Sequence, residues 1–404
     1  MAVGLQSPKT ILPVAGVRLA ACHSGIRADD SRPDLVLVEL DERAEVAAVF
    51  TRNRFCAAPV TVAREHLGQH GPIRALLINS GNANAGTGPQ GLQAARQTCQ
   101  ALADQMYDVA SAQVLPFSTG VIGQSLPVER ITSALPGLLA QLDPENWLDA
   151  ARGIMTTDTL PKGISRQVEI EGQMVTISGI AKGSGMIRPD MATMLAYVAT
   201  DAQIEASQLK PMLQSAVDIS FNSITVDGDT STNDASVLIA TGASGVRVDQ
   251  AQDEFTKALH HVFTWLAQAI IRDGEGATKF VEIRVDGAAS TRDARELAYT
   301  VAHSPLVKTA LFASDANWGR ILAAIGRAPL NDLDIDKIDL YLGETRLLHR
   351  GIPDAAYTEE QGQAEMALDE ITIRVDLNIG DAAARIWTSD LSHGYVTINA
   401  EYRS

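Results

Sequence analysis

The chain has 404 residues, 46% of them hydrophobic, which is enough apolar material for a large buried core and two or three domains of roughly 100–200 residues each. Its formal net charge of −16 argues against nucleic acid or an anionic membrane as partner, because either face needs clustered Lys and Arg to displace counterions. No apolar run reaches the roughly 18 residues a membrane-spanning helix requires.

Near the N-terminus, LAAC (Leu19–Cys22) has the look of a lipoprotein cleavage site, but Pro13, Gly16 and Arg18 interrupt the apolar region that a signal peptide needs. It reads instead as a strand-forming segment of a cytoplasmic protein. DLVLVEL (Asp34–Leu40), VAAVFT (Val46–Thr51) and RALLINSG (Arg74–Gly81) follow as short apolar or alternating runs between polar and glycine-rich punctuation, the pattern of strands. RQVEIEGQMVTISGI predicts a hairpin turning near Glu171-Gly172, and ITVDGD, SVLIATGA and KFVEIRVDG predict further strands. The clearest helix is DEFTKALHHVFTWLAQAIIRDGEG, in which Leu259, Val262, Phe263, Leu266 and Ile270 recur at helical spacing and Gly274 supplies the stop. Strands and helices mix without a strict alternation, which favours a layered α+β fold over a doubly wound sheet.

Several motifs fail on inspection. DGEGATKF (Asp273–Phe280) lacks the Gly-Lys-Ser/Thr ending of a phosphate loop. DGDTSTNDASVL, from Asp227, carries Thr232 where a calcium loop needs its turn glycine and Leu238 where it needs its bidentate Glu. Ser184 in KGSGM lacks the outer glycines of a nucleophile elbow. His66 and His70 stand four apart without the HExxH frame and read as a surface feature rather than a zinc site. Cys22, Cys56 and Cys99 are odd in number and far apart, so they read as small apolar residues of a reducing compartment.

What remains is a constellation of small hydroxyls and glycines: NSGNANAGTG (Asn79–Gly88), FSTGVIG (Phe117–Gly123), IMTTDT (Ile154–Thr159) and KGSGMIRPDMATMLAYVATDA (Lys182–Ala202). Each alone is ordinary turn chemistry. Together with Ala192-Thr193 they point to a threonine nucleophile, whose weak hydroxyl needs a base, the simplest being its own freed α-amine. That requires a cut before Thr193, for which a small preceding residue and an N→O acyl shift are suited.

KGSGMIRPDMATML, FSTGVIGQSLP, IMTTDT, DGEGATKF, SPLVKTALFASDANWGRI and the terminal YVTINAEYRS together resemble the ornithine acetyltransferase family, whose members often also act as N-acetylglutamate synthase. The likeness is collinear from HSGIR (His23–Arg27) to the last residue. It implies a layered αββα sandwich, similar to N-terminal-nucleophile hydrolases, with a smaller C-terminal α/β unit. It also implies self-cleavage between Ala192 and Thr193 into an alpha chain (1–192) and a beta chain (193–404), with the core reaching about 280 and a C-terminal unit from about 281 whose tail returns to the active site.

By the same resemblance Thr193 is the nucleophile, Thr119 and Gly120 form the oxyanion hole, and Thr156, Lys182, Thr193, Glu275, Asn399 and Ser404 contact substrate. The implied reaction is ping-pong transfer of acetyl from N2-acetylornithine to glutamate in arginine biosynthesis, in the cytoplasm, by a heterotetramer of two alpha and two beta chains. No metal or bound cofactor is implied. Family members differ in whether acetyl-CoA also serves as donor, and no motif here decides it. Two rival readings are a self-processing aminopeptidase or amidase of similar fold, and a non-catalytic protein whose glycine-rich loops nest an anion.

Overall fold

A computed structural model describes residues 2–69, 71–188, 194–249 and 252–401, so Ala192, Thr193, Ser404 and His70 lie outside the described residues. The chain forms two compact units, a larger one of Ser7–Asn222 with Asp229–Ile270 and a smaller one of Met1–Gln6, Ser223–Gly228 and Ile271–Ser404.

The larger unit runs through β1 (Val17–Cys22), β2 (Leu35–Leu40), β3 (Glu45–Phe50), α1 (Ala58–Gly68), β4 (Ala75–Asn82), α2 (Gly88–Ala103), β5 (Val114–Val121), α3 (Val128–Leu139), α4 (Trp147–Gly153), β6 (Lys162–Ile170), β7 (Gln173–Lys182), β8 (Leu195–Thr200) and α5 (Ala206–Asp218). After a short β9 (Ile224–Thr225) given to the smaller unit, it closes with β10 (Ala235–Ala240) and α6 (Asp253–Arg272), whose last residues pass into that unit. Two sheets result, ordered β1-β2-β4-β5 and β3-β10-β8-β7-β6.

Strand periodicity explains the layers. In β2, Leu35 and Leu37 pack with Val62 of α1, Leu102 of α2 and Leu135 of α3, whereas Val36, Val38 and Leu40 join Tyr197 and Val237 of the second sheet. Ala75 and Leu77 of β4 face the helices, while Leu76 and Ile78 face the other sheet. A strand buried on both faces has no polar side, which is why these runs read as continuously apolar. On the far side of the second sheet, Gly179 of β7 approaches Val262 and Leu266 of α6, and α5 lies on β3 and β10. The order is therefore helices, sheet, sheet, helices, the αββα sandwich expected.

The predicted hairpin forms as β6–β7, with Ile170 paired to Gln173 and both turn residues at positive φ, Glu171 at 51° and Gly172 at 79°. LAAC lies within β1. ITVDGD yields only the two-residue β9, the chain turning at Gly228 with φ of 85°. His66, expected on the surface, is buried with Nδ1 2.7 Å from the Val114 carbonyl oxygen; spacing alone did not reveal that its face of α1 packs on β5. All three cysteines are free thiols, and burial pushes Cys99 up to about 12, as an inert core residue should behave.

The smaller unit continues through β11 (Phe280–Ala288), α7 (Thr291–Ala302), α8 (Pro305–Phe312), α9 (Trp318–Gly326), β12 (Asp339–Leu342), β13 (Thr345–His349), β14 (Ile352–Pro353), α10 (Glu359–Ala367), β15 (Glu370–Asp376), β16 (Ala382–Ser389) and α11 (His393–Ala400). Its sheet is ordered β14-β13-β12-β15-β11-β16-β9. Val281, Ile283 and Val285 of β11 meet Leu297 and Val301 of α7 and Leu311 of α8 in one core. Ser290 and Ser304 accept the Asp293 and Val307 N–H groups and so cap α7 and α8.

Candidate active site

In the larger unit, β5 carries Thr119 and Gly120 at its end, alongside Ser80 and Gly81 of β4. Gly120 has φ of 135°, and a Cβ there would stand 2.3 Å from the Gly81 carbonyl carbon and 2.5 Å from the Asn82 nitrogen. Only glycine allows the two strands so close where Asn82 breaks the register. The neighbouring asparagines brace this bend. Asn79 donates to the Asn82 carbonyl at 2.9 Å, Asn82 donates to the Ser125 carbonyl at 3.1 Å, and Asn233 donates to the Ala83 and Ser118 carbonyls at 2.6 and 2.9 Å.

Lys182 ends β7 and its Nζ donates to Thr119 Oγ1 at 3.1 Å. Thr156 is tied to the same region through Asp158, a fully buried carboxylate that accepts from the Thr156 N–H at 2.9 Å, the Gly183 N–H at 2.8 Å and Lys162 Nζ at 2.6 Å. Arg32 adds a bond to the Thr156 carbonyl at 2.9 Å. Burial would raise the Asp158 carboxyl, but the Lys162 and Lys182 charges and these hydrogen bonds hold it well below the usual carboxylate range. The structure thus brings Thr119, Gly120, Thr156 and Lys182 into one connected cluster. Thr119, Lys182, Asn233 and Asp234, with the apolar Met186, Ile187, Met194 and Leu195, are among the residues lining a small pocket within it. Met194 is covalently next to Thr193, and its carbonyl accepts the Ala235 N–H at 2.9 Å.

Asp234, which sequence reasoning passed over, is buried at the head of β10. Burial pushes its carboxyl well above the usual range, against a hydrogen bond from Ser231 and the charge of Lys182. Two carboxyls that both feel the Lys182 charge are thus pushed in opposite directions, Asp158 down and Asp234 up.

In the smaller unit, Asn399 of α11 donates to Glu275 Oε2 at 2.8 Å. The loop bearing Glu275 is clamped from both ends. Gly276, φ 68°, lets the start of α11 approach so closely that a Cβ would lie 2.3 Å from the Tyr395 nitrogen, and Ser392 Oγ donates to the Gly276 carbonyl at 2.5 Å. Asp390 accepts from the Thr278 N–H, the Thr278 hydroxyl and the Lys279 N–H at 2.8, 2.6 and 2.9 Å. Behind it, buried Lys308 donates to Thr388 Oγ1 at 3.0 Å and to the Ser389 carbonyl. Burial lowers that ammonium to about 8 despite the Asp390 and Asp227 carboxylates.

The ArgJ family model matches residues 18–404. The arginine biosynthesis bifunctional proteins ArgJ of Pseudomonas syringae pv. tomato and Pseudomonas fluorescens are each 53% identical over the whole of both chains. Among solved structures, the ArgJ protein of Bacillus halodurans is 40% identical over 51% of this chain and 98% of its own, with a TM-score of 0.49. Ornithine acetyltransferase of Mycobacterium tuberculosis, complexed with ornithine, is 34% identical over 45% of this chain and 94% of its own, with a TM-score of 0.39. With the family model spanning all but the first residues and full-length relatives sharing half of their sequence, the chain belongs to the ArgJ family.

Proposed function

We propose that the chain is a glutamate N-acetyltransferase that cuts itself between Ala192 and Thr193 and then carries acetyl on Thr193 from N2-acetylornithine to glutamate. Membership of the ArgJ family makes it an acyltransferase of arginine biosynthesis; the substrates, the covalent route and the residue roles are the proposal. The observation that carries it is the bond from Lys182 Nζ to Thr119 Oγ1 in a pocket also lined by Met194, the residue bonded to Thr193.

Because the lysine donates to the Thr119 oxygen, that hydroxyl's own proton is left to point elsewhere, toward an oxyanion. Thr193 Oγ attacks the acetyl carbonyl while its freed α-amine takes the hydroxyl proton, and Thr119 with the Gly120 N–H steadies the tetrahedral oxyanion. The C–N bond then breaks, the proton passes to the departing amine of ornithine, and the glutamate amine attacks the acetyl-threonine in turn. Thr156 and Lys182 suit the carboxylate and acyl ends of such a substrate. Glu275, Asn399 and Ser404 complete the substrate contacts by family resemblance, the Glu275 carboxylate matching the distal ammonium of ornithine. The same reading divides the chain into an alpha part, 1–192, and a beta part, 193–404, assembled as a cytoplasmic heterotetramer, and leaves acetyl-CoA as a second donor to be assayed.

Rapid quench with N2-acetylornithine followed by peptide mass spectrometry tests the covalent step. Acetyl on Thr193 is expected; acetyl on lysines alone, or a sequential kinetic pattern, contradicts it.

A further inference from the structure

We propose that Asp390 is a positioning residue for Glu275: by fixing the exit of the turn that carries Glu275, it sets where that carboxylate meets the distal ammonium of N2-acetylornithine. The inference rests on the reading of Glu275 as the partner of that ammonium, and it adds the residue that aims it.

Local connectivity carries it. Residues 273–279 join α6 to β11, and within them the Ala277 N–H donates to the Gly274 carbonyl at 2.9 Å. This closes a turn with Glu275 and Gly276 at its central positions, Gly276 taking a φ of 68° that suits glycine. Thr278 and Lys279 follow at once and lead into β11. Asp390, 3% exposed, grips that exit with both carboxylate oxygens. Its Oδ1 accepts the Thr278 and Lys279 N–H groups and its Oδ2 accepts the Thr278 hydroxyl.

Asp390 is itself held. It follows Ser389, which pairs with Phe280 in the β11–β16 ladder and whose carbonyl accepts from Lys308 Nζ. On its other side the Leu391 N–H donates to the Lys308 carbonyl at 3.2 Å. The same stretch then reaches back to the turn, Ser392 Oγ donating to the Gly276 carbonyl and Asn399 to the Glu275 carboxylate. A recognition carboxylate aimed in this way binds an ammonium without being ordered anew, whereas a displacement of about 1 Å can cost up to about 100-fold.

The test compares N2-acetylornithine with N2-acetylnorvaline, which has the same carbon chain without the distal amine. A fault confined to the aim of Glu275 lowers use of the first donor only, while general structural damage lowers both alike. The readout is the ratio of kcat/KM for the two donors, measured on the purified enzyme with glutamate as acceptor. The ratio should fall about tenfold or more in Asp390→Ala and about threefold or more in Thr278→Val. Thr278→Val removes one hydroxyl at nearly constant shape, so the test stands even where Asp390→Ala does not fold, and Thr278→Ser should restore the ratio. In a Glu275→Gln background, Thr278→Val should change it by less than about twofold, because the group being aimed is gone. An unchanged ratio in Thr278→Val or in folded Asp390→Ala overturns the proposal, as does an equal loss for both donors or an undiminished Thr278→Val effect in the Glu275→Gln background. A wild-type ratio in Glu275→Gln alone overturns the reading of Glu275 and the inference with it; a lowered ratio there, with none in the positioning variants, overturns the inference only.

Discussion

Replacing Asp158 by Asn removes the charge on which three parts of the site converge. The pair Asp158–Lys162 spans 2.6 Å with neither side chain exposed to solvent, and the same carboxylate holds the Thr156 and Gly183 N–H groups. An amide keeps the shape but leaves the Lys162 ammonium buried with its counter-ion gone, a loss of about 3–5 kcal/mol. At ~2–4 °C per kcal/mol for a unit of this size, the melting temperature should drop by roughly 6–20 °C. Thermal unfolding by calorimetry measures it, alongside Asp158→Asn/Lys162→Met, which removes both charges and should recover most of the loss. The pH dependence has a fixed sign. The folded carboxyl lies below its unfolded value of about 3.9, so its stabilisation is complete above that value and disappears as pH falls toward the folded one. The gap between wild type and variant should therefore be level from about pH 5 to 8 and close in acid. A single variant that melts within about 2 °C of wild type, or a double variant worse than the single, refutes the reasoning.

Gly120→Ala should lower acetyl transfer by about 100-fold or more, because the added carbon meets the Gly81–Asn82 backbone and moves the N–H proposed to face the oxyanion; wild-type rates would remove Gly120 from the site. Lys182→Ala and Glu275→Ala should each reduce kcat/KM for N2-acetylornithine by roughly 10–100-fold, with the Glu275 effect mainly in KM, since a recognition charge binds ground and transition states alike. Steady-state kinetics on chains shown to be folded decide this, and an unchanged KM in Glu275→Ala withdraws that residue.

The strands were legible because an apolar run such as DLVLVEL is a local signal, whereas the αββα order came from the family resemblance, and only packing shows that Leu35 and Leu37 face the helices while Val36 and Val38 face the second sheet. Helix α6 and the Glu171-Gly172 turn were legible for the same reason. The site was not. Thr119 and Lys182 lie 63 positions apart, and no periodicity joins them; they came from the family motifs alone. Asp158 was overlooked although it precedes Lys162 by four residues, and Asp234 although it stands at the head of an unbroken apolar strand, ASVLIA. In both cases the missing signal was burial, since a carboxylate next to Ser, Thr and Gly reads as a solvated turn until tertiary packing closes over it.

The proposed mechanism depends first on a cut between Ala192 and Thr193. Intact-mass and N-terminal sequence analysis of purified wild type should give two chains, the second beginning at Thr193, while Thr193→Ala and Thr193→Val give one uncleaved chain without acetyl transfer, and Thr193→Ser is intermediate because it keeps the hydroxyl but loses the methyl that fixes its rotamer. An intact wild-type chain that transfers acetyl, a fragment beginning elsewhere, or an active Thr193→Val enzyme would contradict it.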